Sequence, residues 1–227
     1  MYKPMSTYGV DINRLRNTMK IEIDSTIQNL SKELENFWGE KPEAEPIVTI
    51  VESREEIDKL RGERTDKKLV GWHQKRKYIW ILDQEKFESE STFKKKDFDT
   101  ILKHELSHFL FTNITKGSYP KWLNEGLACY LAGQKYHRGI TKNDIEKVLK
   151  CYADFDRSLF AHSYLLVRKI IELKGEKYFV KFLKSFNENM KEEEFKILFK
   201  KFYNIDLSGS NLYDLINGKQ HYEKRNY

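Results

Sequence analysis

The stretch Lys103-His104-Glu105-Leu106-Ser107-His108, at the centre of the segment Asp97–Thr115, indicates a helix with a metal-binding face. In a helix, His104 and His108 stand one turn apart on the same face, close enough to share a metal ion. Glu105 stands beside them, and a carboxylate next to a metal-activated water can act as a general base. The pattern is short, so an ordinary charged helix turn that carries two histidines is the alternative interpretation.

Two features of the chain favour a metal site over that alternative. The chain has only six His, so a pair at this spacing around a Glu is rarely an accident of composition. The apolar residues of the same segment recur at helical spacing and predict that the other side of the helix lies in a core. These residues are Phe98, Leu102, Leu106, Phe109 and Leu110.

A catalytic zinc site usually has three protein ligands, and the segment Pro120–Gly133 offers the third. Pro120 suits the first turn of a helix and Gly133 its end, so Glu125 is predicted to lie on a short helix. Small residues would let this helix approach a neighbour closely, and they are Gly126, Ala128 and Ala132. The alternative for Glu125 is an ordinary solvated carboxylate.

The stretches His104-Glu-Leu-Ser-His108 and Trp122-Leu-Asn-Glu125-Gly-Leu-Ala128 together resemble the motifs of the gluzincin metallopeptidases, in particular the compact peptidase MA-like group related to the catalytic domain of the M1 aminopeptidases. The resemblance covers residues 97–205 and includes a third stretch, Leu159–Ile171. It implies that His104, His108 and Glu125 bind zinc and that Glu105 is the general base. It also implies an α+β, zincin-like fold, with a small mixed-sheet lobe that includes a long N-terminal helix, an α-helical C-terminal lobe, and the zinc cleft between them.

This chain departs from the gluzincin pattern at three places. Sixteen residues separate His108 from Glu125, slightly fewer than in the larger gluzincins, which implies a tight connection through Asn113–Tyr119. Relatives often carry a Tyr on the third helix that hydrogen-bonds the oxyanion of the reaction, and Phe160 stands at the matching position, where a phenyl ring cannot donate. Tyr164 and His162 are the catalytic candidates for that role, although Tyr164 is equally consistent with a helix-core aromatic. Thermolysin-type enzymes place an Asp one turn after the ligand Glu to orient a ligand His, and Cys129 holds that place here. Either another acceptor orients the His, or the His is oriented less firmly.

The pattern along the chain predicts one catalytic domain over residues 1–227, with a helix-and-sheet part in 1–96 and the metal helices plus a helical lobe in 97–227. Hydrophobic spacing predicts helices over Asp11–Trp38, Ser53–Leu60, Thr141–Lys150, Leu159–Leu173, Glu176–Phe186 and Glu192–Phe202. Strands are predicted over Pro46–Val51, Lys68–His73 and Lys77–Leu82. We expect Tyr78–Leu82 to be an edge strand that pairs with an extended substrate, with an interior strand as the alternative.

Composition decides little beyond the broad class of protein. The chain has 227 residues, 41 Lys and Arg against 35 Asp and Glu, and a net charge of +6. No nucleic-acid motif accompanies the charge, so we expect no nucleic-acid partner. No apolar run reaches the roughly 18 residues that a membrane helix needs, and Met1–Val10 lacks the apolar stretch of a signal peptide. With only Cys129 and Cys151, no disulfide framework is indicated. We therefore expect a cytoplasmic protein without a membrane partner, and the sequence does not predict the oligomeric state.

The expected activity is zinc-dependent hydrolysis of peptide bonds in a peptide or protein substrate. Glu105 would accept the proton of the attacking water and deliver it to the leaving amine. The M1 aminopeptidases recognise the substrate amine with an additional Gly- and Glu-containing motif, and its absence from Lys67–Asp97 favours endopeptidase or oligopeptidase activity. Two alternatives stay open: a catalytically inactive zinc-binding relative with a regulatory or peptide-binding role, and a metal-free binding module.

Overall fold

The computed structural model describes residues 20–117, 120–136, 139–188 and 190–217. Within these residues the chain forms a helix-rich α+β fold. The strands are β1 Ile47–Val51, β2 Gly71–Gln74 and β3 Tyr78–Leu82. The helices are α1 Lys20–Trp38, α2 Arg54–Arg61, α3 Phe87–Glu90, α4 Phe98–Ile114, α5 Lys121–Leu131, α6 Lys142–Leu149, α7 Phe160–Lys174, α8 Glu176–Leu183, α9 Glu192–Tyr203 and α10 Gly209–Ile216. Short 3-10 turns lie at Gln84–Lys86, Lys95–Asp97 and Arg157–Leu159.

The three strands form one mixed sheet in the order β1-β3-β2. β3 runs parallel to β1, with Ile47 opposite Tyr78, and antiparallel to β2, with Trp72 opposite Trp80. The prediction that Tyr78–Leu82 is the edge strand is therefore wrong, and its interior alternative is correct. A short turn keeps β2 and β3 adjacent, whereas the longer connection through α2 lets β1 pair with the other side of β3. β2 is left as an edge of the described sheet.

Helix α4 runs through the middle of the described fold. It packs against β2, β3, α1 and α5. The apolar residues that the sequence placed in a core are all buried, namely Phe98, Leu102, Leu106, Phe109 and Leu110. Its polar residues in the metal motif are buried as well, namely His104, Glu105, Ser107 and His108. The motif therefore lies inside the fold, which argues against an ordinary charged turn on the surface.

Helices α5 and α7 pack at very close range. A Cβ atom added to Gly126 would lie 2.4 Å from the backbone oxygen of Ser163, so a larger residue does not fit at this point of α5. The small residue at position 126 thus lets the helix that carries Glu125 approach α7, and not the other ligand-bearing helix, α4, for which the close approach was expected. An aromatic cluster fills the C-terminal part of the core, formed by Phe179, Phe182, Phe195, Phe199 and Tyr203.

Most predicted elements are present with shifted ends. The strand expected over Lys68–His73 is Gly71–Gln74, and the helix expected over Glu176–Phe186 ends at Leu183. Of the predicted helix Asp11–Trp38, the part from Lys20 to Trp38 is helical, while residues 11–19, with Ile12, Leu15 and Met19 of its apolar stripe, lie outside the described residues. Among the described helices, none combines the length and the apolar character needed to cross a membrane.

Candidate metal centre

A cleft of about 930 Å³ opens between β2 on one side and the segments that follow α5 and precede α7 on the other. His104, Glu105, His108 and Glu125 all contribute to its lining. Aromatic rings make much of the remaining lining, and they belong to Trp72, Phe93, Tyr136, Phe155 and Phe160. The predicted metal-binding residues thus face a space that is large enough for a ligand.

His104, His108 and Glu125 converge in this cleft. The two Nε2 atoms of the histidines are 3.0 Å apart. Oε2 of Glu125 lies 3.5 Å from Nε2 of His104 and 3.3 Å from Nε2 of His108. One turn of α4 supplies both histidines, and the adjacent α5 supplies the carboxylate. The structure therefore brings together the three residues that the sequence predicted as metal ligands, and their side chains can hold an ion.

A side-chain amide engages the far nitrogen of each histidine. Nδ1 of His108 donates to Oδ1 of Asn124 at 2.8 Å, and Nδ1 of His104 donates to Oε1 of Gln134 at 3.2 Å. With a proton on Nδ1, each neutral ring presents the lone pair of Nε2 to the other ligands. Another acceptor, Gln134, thus orients His104, and Cys129 is a more distant neighbour with its Sγ 4.0 Å from the same Nδ1.

Two imidazole lone pairs and a carboxylate in contact with one another require a cation among them. In the metal-free protein a proton takes that place. Burial opposes the charge on Glu125, yet the adjacent histidines hold the pKa of Glu125 well below its usual range. Burial likewise opposes the charged form of His104, but its hydrogen bonds with Cys129 and Glu125 raise the pKa of His104 above the usual value. The nitrogen and oxygen donor set fits a divalent transition metal, which would displace this proton.

Glu105 is buried beside the three converging residues. It packs against β2 at Gly71, where an added Cβ atom would lie 3.1 Å from Cγ and 3.5 Å from Oε1 of Glu105. Burial raises the pKa of Glu105, and the neighbouring histidines offset part of that rise. Because a carboxylate with a raised pKa is a stronger base, Glu105 is placed to exchange a proton with a molecule in the cleft.

His73 of β2 is a residue of this site that the sequence motifs did not reveal. Its ring centroid lies 5.0 Å from that of His108. Three potential ligand atoms lie within 4.8 Å of one another, one each from His73, Glu105 and His108. Burial and the adjacent His108 lower the pKa of His73 to about 3, so its imidazole is neutral at physiological pH. The alternation of side chains along β2 was the available signal, since it places Gly71 and His73 on one face of the strand.

The two residues predicted to stabilise an oxyanion do not line the cleft. Tyr164 is buried, and its ring packs on that of Tyr136 with centroids 5.6 Å apart. His162 is buried, and its Nε2 lies 3.8 Å from Oδ2 of Asp144. Phe160, one helix turn before Tyr164, is the α7 residue that reaches the cleft together with Ala161. The structure therefore brings neither candidate to the converging ligands.

Comparisons of the chain with protein-family models, with curated proteins and with solved structures give no match. Membership of the gluzincin family thus stays a prediction, and the geometry of the cleft is what bears on function.

Proposed function

We propose that this protein is a zinc-dependent peptidase of the gluzincin type with a zincin-like fold. The observation that carries the proposal is the convergence of two Nε2 atoms and one carboxylate from α4 and α5 in an open cleft, with Glu105 beside them. Catalytic zinc sites have three protein ligands and keep a further position open, whereas structural zinc sites have four.

His104, His108 and Glu125 would hold the ion. Zinc bound there would supply Lewis acidity toward the substrate carbonyl and lower the pKa of a water molecule toward neutrality. The amide partners of the two histidines keep both rings in the tautomer that presents Nε2. Glu105 accepts a proton from the attacking water through its carboxylate and then gives it to the departing amine.

An extended peptide is the substrate that the cleft favours. β2 borders the cleft at an edge of the described sheet. The backbone N–H and C=O groups of such an edge can pair with an extended chain. Trp72, Phe93, Phe155 and Phe160 add apolar rings to the lining, which suit bulky apolar side chains of a substrate.

A second candidate is a zinc-binding relative that binds peptides or regulates a partner without catalysis. Phe160 favours this candidate, because its ring lies in the cleft with its centroid 6.1 Å from that of His104. A phenyl ring cannot donate the hydrogen bond that stabilises an oxyanion. This candidate predicts stoichiometric zinc without cleavage.

The test combines zinc analysis with the cleavage of a mixed peptide library. We expect stoichiometric zinc and cleavage for the wild-type chain. Glu105→Gln should keep the metal and lower turnover by about 10²- to 10⁴-fold, because the general base is lost. His108→Ala should lose both metal and activity, whereas Glu193→Gln on the exposed face of α9 should change neither. Cleavage by Glu105→Gln at the wild-type rate would show that Glu105 is not the base.

A further inference from the structure

His73 places a third imidazole at the metal centre, outside the three ligands named above. We propose that His73 is a further ligand of the same ion, and that in the resting protein it occupies the coordination position that a substrate would take. The inference rests on the proposed metal-dependent function, and it adds a self-inhibited resting state to that function.

The spacing of His73 and His108 resembles that of a pair of ligands. Their ring centroids are 5.0 Å apart, close to the 4.6 Å between the rings of His104 and His108. One potential ligand atom of His73 lies within 4.8 Å of one of His108. In a tetrahedral site, zinc–nitrogen bonds of about 2.0–2.1 Å place two ligand nitrogens roughly 3.4 Å apart, so the half-buried His73 ring must turn toward the ion to complete the set.

His73 comes from the wall of the cleft opposite the other ligands. The three converging side chains belong to α4 and α5, whereas His73 belongs to β2. β2 is also the edge strand that we expect to pair with an extended peptide. A substrate bound along β2 and the imidazole of His73 would therefore compete for the same space beside the ion.

One ion, and not two, is expected at this centre. Among the described residues, two groups of side chains can hold an ion, and His108 belongs to both; the second group contains His73 and Glu105. Nδ1 of His108 donates to Asn124 at 2.8 Å, so only Nε2 has a lone pair to give. Because one lone pair binds one ion, both groups must serve a single ion, and His73 would join His104, His108 and Glu125 on it from the side of β2.

The histidines on the ion can be counted in the full-length wild-type chain loaded with cobalt(II). Proton NMR of such a protein shows one set of paramagnetically shifted imidazole signals for each coordinated histidine. We expect three sets. Two sets would overturn the proposal, and this measurement needs no variant that has to fold.

Substitutions at His73 distinguish ligation from packing. His73→Gln should weaken cobalt binding by about tenfold or more, measured by competition with a chromophoric chelator, and should change the visible absorption of the cobalt protein. His73→Cys restores a ligand, so it should recover affinity and add a thiolate-to-cobalt charge-transfer band in the near ultraviolet. Gln74→Ala, at the exposed end of the same strand, is the control and should change neither property. Equal affinity and spectra for wild type and His73→Gln would overturn the proposal.

Metal stoichiometry separates failure of this inference from failure of the proposed function. Two cobalt ions per chain at saturation would overturn the single shared ion. A wild-type chain that binds neither cobalt nor zinc would overturn both the inference and the proposed function. A wild-type chain that binds zinc and cleaves peptides, with unaltered metal binding by His73→Gln, would overturn the role of His73 alone.

Discussion

Replacement of Asn124 by Leu tests whether a buried amide sets the tautomer of a metal ligand. Asn124 is buried, and its Oδ1 accepts the hydrogen bond from Nδ1 of His108 at 2.8 Å. Leucine has a similar volume but offers no acceptor, so the buried Nδ1–H group loses its partner. The ring can then carry its proton on Nε2, which is the atom that must present a lone pair to the metal.

The substitution should lower both the metal affinity and the stability of the metal-free protein. Removal of such a partner lowers metal affinity by about 10- to 100-fold, or about 1.4–2.7 kcal/mol. The metal-free protein should also lose about 1–3 kcal/mol of stability, because a buried donor stays unsatisfied. Gln134→Leu should have the smaller effect on affinity, since its hydrogen bond with His104 is longer, at 3.2 Å, and Gln134 is only half-buried.

Competition for zinc with a chromophoric chelator gives the affinity of each variant, and urea unfolding of the metal-free chains gives their stability. The expected order of zinc affinity is wild type, then Gln134→Leu, then Asn124→Leu. Asn124→Asp keeps an acceptor for His108 and serves as the control, which should bind zinc at least as tightly as wild type. Wild-type affinity in a folded Asn124→Leu variant would refute the reasoning.

Two further predictions concern protonation and packing. Zinc must displace the proton of His104, whose pKa is raised in the metal-free protein, so zinc affinity should fall by about tenfold per pH unit below that pKa and level off above it. Competition with a chelator across a pH series measures the zinc affinity. An affinity that does not change with pH would contradict the displacement of a proton by zinc. Gly126→Ala should destabilise the fold by about 1–3 kcal/mol and lower Tm in thermal unfolding, because the added Cβ would lie 2.4 Å from the backbone oxygen of Ser163. Gly139→Ala, where an added Cβ has nothing within 4 Å, is the matched control, and equal losses of Tm in both variants would show that the close contact is not responsible.

The local part of the site could be predicted from the sequence because it depends on helix geometry alone. His104 and His108 lie one turn apart in any helix, and their spacing around Glu105 is readable in the printed chain. The contribution of Glu125 required a second helix beside α4, and its Trp-Leu-Asn-Glu setting indicated that helix, whereas Gly126 packs the same helix against α7. The buried polar face of α4 then follows from the same pattern.

The parts that depend on long-range pairing could not be predicted. An apolar strand such as Tyr78–Leu82 has the same pattern at an edge or in the interior of a sheet, and only its pairing with β1 and β2 decides between them. Nothing local indicates that Asn124 and Gln134 meet the two histidines, because these contacts join separate elements. His73 was missed for the same reason, since β2 is brought to α4 by the tertiary fold.

The central position of α4 has a consequence for how an ion would enter. With the sheet, α1 and α5 packed around it, we expect the backbone amides of α4 to exchange with deuterium only when much of the fold opens. The turn that carries His104 and His108 is consequently rigid before any ion arrives. Metal uptake then requires little ordering of the chain, because that conformational entropy was already lost in folding. The protein should therefore take up zinc as a preorganised chelator does, with an unchanged circular dichroism spectrum, and not as a domain that folds around its ion.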